Sequence, residues 1–152
     1  MSTAGFADPA HNVATIGVEP GMNVADFGCG SGAYVFAVAE ALKGEGAVYA
    51  IDVQKDLLRR VHNEATRRGF HNVRVIWSDL EKPRASKIAD RSLDLVIISN
   101  ILFQIEDRRA LLQEAHRILK KGGALAVIDW SDSYGGMGPH KDHVVPKADA
   151  HR

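Results

Sequence analysis

The chain has 152 residues, 45% hydrophobic and 25% charged, with 19 Lys+Arg against 19 Asp+Glu. That length suits one domain with a full hydrophobic core, and the balanced charge gives no long-range pull toward nucleic acid or an anionic membrane. Its single cysteine, Cys29, excludes an intrachain disulfide and fits a reducing compartment.

Met1–Pro9 has neither a basic nor an apolar signal region. The densest apolar stretch, Leu93–Ile105, is too short to span a bilayer and carries Asp94, Asn100 and Gln104. A cytoplasmic protein with no membrane span is therefore expected. Short apolar runs then alternate with segments of 3.6-residue period. Asn23–Phe27 reads as a strand, followed by the glycine loop Gly28–Gly32 and a helix to about Leu42 that stops near Gly44. Ala47–Ile51 is a second strand. A helix follows from about Asp56, with Leu57, Leu58, Val61 and Ala65 on one face and Gly69 as its C-cap. Its arginines, Arg59, Arg60, Arg67 and Arg68, read as a solvated face.

Val73–Trp77 alternates as an edge strand does, with Val73, Val75 and Trp77 on one side. Asp79–Ser92 is polar and contains Pro83, so it reads as a loop or a short irregular helix. Leu93–Ser99 is the continuous apolar run of a central parallel strand. A third helix is expected from about Asp107 to Lys120, striped by Leu111, Leu112, Ala115, Ile118 and Leu119 and ended by Gly122–Gly123. Ala124–Asp129 is the fifth strand. Residues 131–152 hold Gly135, Gly136, Gly138, Pro139 and Pro146 without a periodic pattern, a tail signature that sets a domain at 1–130 and a tail at 131–152. Strand–helix alternation with short connections implies right-handed βαβ units, an α/β Rossmann-like doubly wound parallel sheet.

The loop Asp26-Phe27-Gly28-Cys29-Gly30-Ser31-Gly32 lies at the first strand-to-helix turn, the topological switch point where such sheets bind ligands. Glycine there admits positive φ and lets a ligand approach backbone beside a helix N-terminus. The spacing alone is ambiguous. Gly28-x-Gly30-x-x-Ala33 also satisfies the dinucleotide fingerprint, and Asp52 at the end of the second strand could hold an adenosine ribose in either case. Asp26 separates the two: two residues before the first glycine, it would repel a pyrophosphate and attract a ligand carrying an ammonium and a sulfonium. The loop amides are then expected to serve a ligand carboxylate. Asp79, after the third strand, is placed to accept from an adenine amino group with Leu80 beside it; turn capping is its plainer role. Cys29 reads as small-residue packing, and Trp77 and Trp130 as core or strand-end residues.

These residues resemble the class I S-adenosylmethionine-dependent methyltransferases, in particular the quinone-biosynthesis-like C-methyltransferase group, from about Asp8 to His143. Asp26–Gly32 is similar to the first motif, Tyr49-Ala50-Ile51-Asp52 to the ribose-binding strand end, and Ser78-Asp79-Leu80 to the adenine motif. Ser92–Val96 through Asn100 resembles the fourth-strand motif, and Leu119-Lys120-Lys121-Gly122-Gly123 the turn before strand five. The resemblance implies S-adenosylmethionine as cofactor and S-adenosylhomocysteine as product. It implies a cofactor site of Asp26, Gly28, Cys29, Gly30, Ser31, Gly32, Asp52, Val53, Asp79, Leu80 and Asn100, a small-molecule methyl acceptor, and no metal. Tyr134, His140 and His143 are candidate acceptor contacts, read more simply as tail residues. Because the chain reaches only Arg152, five strands in the order 3-2-1-4-5 are expected, without the family's usual last two. The apolar edge of strand five would then pair with a second copy, be covered by the tail, or belong to a truncated core. A cofactor-binding module that lacks catalysis and acts through assembly is the competing expectation.

Overall fold

The computed structural model describes residues 8–99 and 108–128. Five parallel strands, β1 (Asn23–Phe27), β2 (Ala47–Asp52), β3 (Val73–Trp77), β4 (Leu93–Ser99) and β5 (Leu119–Ile128), form one sheet in the order β3-β2-β1-β4-β5. Four helices accompany them: α1 (Pro9–Ile16), α2 (Ala33–Leu42), α3 (Lys55–Arg68) and α4 (Arg108–Ile118). This is the doubly wound arrangement expected from the alternation. None of these helices is long and apolar enough to cross a membrane.

The side-chain period of two divides the core between the faces of the sheet. Val24, Val48, Leu95 and Ile97 pack on one face with Val35, Val38 and Leu42 of α2 and Leu58 and Val61 of α3. Ala25, Phe27, Ile51, Val96 and Ile98 pack on the other with Leu111, Ala115 and Ile118 of α4. β1 and β4 are buried almost throughout, as continuous apolar runs require, whereas β3 at the edge is half covered.

Two local differences from the sequence reading have physical causes. The first is α1, which the sequence reading did not assign: Asp8 caps it by accepting from Ala10 N and His11 N, Pro9 starts it, and Gly17 ends it in the left-handed region. It buries Val13, and Asn12 Nδ2 donates to the Tyr34 hydroxyl at 2.8 Å, fastening α1 to α2.

The second is the start of β5. Gly122–Gly123 does not end α4, which stops at Ile118; β5 begins at Leu119. Leu119 pairs with Leu93 and Ala124 with Leu95, so five steps on β5 face two on β4 and Lys120–Gly123 bulges from the ladder. Gly122, at φ 86°, supplies the backbone this bulge needs.

Residues 79–92 form turns and bends with no helix, the first of the two forms expected for them. They are fastened to α4 instead. Glu114, 3% exposed, accepts from Ser86 N, Ser86 Oγ and both Arg117 Nε and Nη2, and Arg117 Nη1 reaches Asp90. Burial pushes the Glu114 carboxyl up, but the bonds from Arg117 and Ser86 outweigh it and hold it below its ordinary range.

Candidate functional site

In a parallel sheet all strands end on one edge. Here Phe27, Asp52 and Trp77 end β1, β2 and β3 side by side, with Ile51 beside Phe27 and Trp77 beside Asp52. The loop from Gly28 to Gly32 crosses that edge and enters α2. Gly28, Gly30 and Gly32 have φ of 73°, 55° and 94°, values that only glycine adopts without strain. Gly32 also has no room for a side chain: a Cβ there would lie 3.0 Å from the Phe36 ring and from Val61. At Gly30 the same atom would meet nothing within 4 Å, so the loop is open to a ligand there.

The loop amides are mostly occupied within the protein. Gly28 N and Cys29 N both donate to Ile51 O, at 2.8 and 3.0 Å, and Gly32 N donates to Cys29 O. Gly30 N donates to Asp52 Oδ2 at 3.0 Å. The expectation that the loop amides as a group serve a ligand carboxylate therefore does not hold for these four, because so short a turn satisfies its donors by folding back on β2. α2 starts at Gly32 without a side-chain cap, so its first-turn amides have no side-chain acceptor there.

Asp26 lies in β1 on the same face as Val24, toward α2, and is fully buried. Neither of its carboxylate oxygens has a hydrogen-bond partner among the described residues. Withdrawal from water, and secondarily the nearby Asp52 carboxylate, pushes its pKa up to about 8. A buried acid that is neither paired nor bonded is costly, and the chemistry that relieves it is a cation or a donor arriving at the loop.

Asp52 is buried as well, but partnered: Oδ2 accepts from Gly30 N and Oδ1 from Gln54 N at 2.9 Å. Each oxygen has a second lone pair, so two further donors can still be accepted. Val53 follows with 57% of its surface exposed. Across the next connection Leu80 is buried, whereas Asp79 is exposed and accepts from Glu81 N, which is the turn-capping role. Ser31 is exposed on the loop. Cys29 is buried, and its thiol is pushed up by burial and by the Asp26 and Asp52 carboxylates, which counters activation by the helix N-terminus.

The structure thus gathers Asp26, the glycine loop and Asp52 at one edge, with Val53 and the Asp79–Leu80 turn on the β2–β3 side. Asn100 lies outside the described residues, as do Trp130, Tyr134, His140 and His143. Arg59 pairs with Asp56, and Arg67 and Arg68 with Glu64, a solvated face as expected. Trp77 is the residue the sequence reading placed differently: it ends β3 as expected, but it is 52% exposed and is no core residue.

The profile of a methyltransferase domain matches residues 18–147. Demethylmenaquinone methyltransferase of Geobacillus stearothermophilus is 32% identical over 115 residues, 75% of this chain and 47% of that protein. Aklanonic acid methyltransferase of Streptomyces sp. (strain C5) is 35% identical over 106 residues, 70% of this chain and again 47% of the relative. The chain therefore spans about half the length of these curated relatives. Among solved structures, a SAM-dependent methyltransferase from Aquifex aeolicus superposes with a TM-score of 0.78 at 27% identity, over 97% of this chain and 77% of that one.

Proposed function

The chain belongs to the class I S-adenosylmethionine-dependent methyltransferase family, and from that membership we propose that it binds S-adenosylmethionine at the C-terminal sheet edge and transfers the methyl group to a small-molecule acceptor. The observation that carries this reading is Asp26, fully buried under the glycine loop with both oxygens unpartnered among the described residues. Such a group suits a ligand with positive charge and no phosphate. The relatives named for demethylmenaquinone and aklanonic acid support a small organic acceptor.

When bound, the cofactor supplies a methyl group activated on a sulfonium, and its in-line transfer depends on alignment and exclusion of water more than on a protein base. The residues divide that work. Asp26 provides charge for the cationic part of the ligand. Asp52 uses its free lone pairs for ribose hydroxyls while its other bonds hold Gly30 and Gln54 in place. Val53 and Leu80 supply apolar surface, and Asp79 an acceptor for an exocyclic amine.

Calorimetry with S-adenosylhomocysteine and with NAD on the same preparation tests the reading. S-adenosylhomocysteine is expected to bind and NAD not to; the reverse would overturn the assignment. A second reading is a cofactor-binding module without turnover, and the same preparation separates it. Tight S-adenosylhomocysteine binding with no product formed from S-adenosylmethionine across quinone and phenol acceptors would select it. On either reading the edge of β5 away from β4 is where we place a second copy, to be checked by sedimentation.

A further inference from the structure

Trp77 has the largest apolar side chain at the sheet edge and is half in solvent, so burial alone gives it little reason to be there. Its contacts are specific nonetheless. The indole Nε1 donates to the Val53 carbonyl at 2.8 Å, and the Lys55 ammonium lies 4.1 Å from the ring centroid. Both contacts fall within three residues of Asp52, on the turn from β2 into α3. The strand register places Trp77 directly beside Asp52.

The turn's other bonds are to Asp52 and to the first turn of α3, where Leu58 N donates to Gln54 O. Gln54 N bonds to Asp52 Oδ1 and Ser78 N to Asp52 O, while Gln54, the N-cap of α3, makes no side-chain capping bond. Trp77 holds the Val53 carbonyl next to Asp52, whose carboxylate accepts from Gly30 N, while the Val53 side chain is exposed. We propose that Trp77 is a positioning residue that braces the Asp52–Lys55 turn, setting the ribose-side wall of the cofactor site without touching the cofactor. The proposal rests on the S-adenosylmethionine reading of that site.

The test uses the full chain. Trp77 and Trp130 are its two tryptophans, so Trp130→Phe leaves Trp77 as the only indole. Saturating S-adenosylhomocysteine is expected to shift Trp77 emission, with a midpoint equal to the calorimetric Kd. Trp77→Phe keeps a ring for Lys55 and removes the Nε1 donor. It is expected to weaken S-adenosylhomocysteine binding about three- to ten-fold, the scale of one net hydrogen bond. In combination with Asp52→Asn the two losses should fall short of additive, because the second change finds the turn already released. A general structural defect would lower Tm without this coupling.

Emission that does not respond at saturation, or wild-type affinity in Trp77→Phe, overturns the bracing role. If the unsubstituted chain binds no S-adenosylhomocysteine, the cofactor reading falls and the brace with it. If it binds, and Asp52→Asn weakens it while Trp77→Phe does not, only the brace falls.

Discussion

Asp26 and Glu114 are carboxylates withdrawn from solvent to a similar degree, 0% and 3% exposed, on opposite faces of the sheet. Glu114 is met by Ser86 and Arg117 through four donors and is held below its ordinary pKa range. Asp26 is met by none and is pushed up to about 8, chiefly by burial. The difference separates two uses of a buried charge. At Glu114 the fold completes the charge and uses it to fasten residues 79–92 to α4. At Asp26 the described residues supply no partner, and burial favours the protonated carboxyl up to about pH 8.

The contrast breaks first at Glu114. Removing Glu114 leaves Ser86 N without its acceptor and Arg117 bonded mainly to the exposed Asp90, so Glu114→Ala should cost about 3 kcal/mol in urea unfolding, the low end for breaking a buried pair. Its signature in pH has a definite sign. A carboxyl depressed in the folded state stabilises above its unfolded pKa, and that contribution is lost as pH falls through the folded value. The unsubstituted chain should therefore lose stability below about pH 4.5, and Glu114→Ala should show a flatter acid limb. An unchanged midpoint for Glu114→Ala would remove the fastening from the account.

At Asp26 the sign reverses. A carboxyl raised in the folded state stabilises below its unfolded pKa and withdraws that support as pH rises through about 8. Without ligand, thermal stability should fall across that window, and Asp26→Asn should abolish the fall while folding at least as well. The same variant should lose about 2–3 kcal/mol of S-adenosylmethionine affinity at pH 8, the scale for bonds to a charged group. A variant that loses stability rather than affinity would place Asp26 with Glu114, as structure. Asp52→Asn should fall just below this, about 1.5–3 kcal/mol on S-adenosylhomocysteine binding, since the amide keeps one acceptor for Gly30 or Gln54.

How far the sequence foretells these two acids depends on how far away their partners lie. Asp26, the glycine loop and Asp52 are legible because each closes a strand whose apolar run marks it, and because a carboxylate before the loop conflicts with a phosphate ligand. β1, β3 and β4 have the predicted bounds for the same reason. Glu114 is legible only in part: Arg117 stands three residues on along the same helix, but Ser86 is 28 residues away, inside a polar stretch with no period of its own. β5 extends five residues upstream of the expected Ala124 because Gly122–Gly123, which has the form of a helix stop, is absorbed by a bulge against β4. α1 had its signals, Asp8-Pro9 at one end and Gly17 at the other, but spans only eight residues with little apolar stripe. Trp77 shows its alternation in sequence but not its exposure, which depends on β3 being an edge with α3 only partly over it.

The smallest expected effect lies at Asp79, which sits between the two behaviours. It is exposed, so no burial penalty marks it, and it already has a backbone partner in Glu81 N. If that bond were its whole role, a shorter acceptor would serve as well. Asp79→Ser separates the two, because serine can cap the same turn through its hydroxyl but brings no carboxylate to an adenine amine. With the turn preserved, S-adenosylhomocysteine binding should weaken by about 1 kcal/mol, one net hydrogen bond, while Tm stays within a degree or so of the parent. Calorimetry on both proteins at one pH reads the difference. Equal affinities would leave Asp79 as a turn residue, and the adenine side of the site would then depend on Val53 and Leu80 alone.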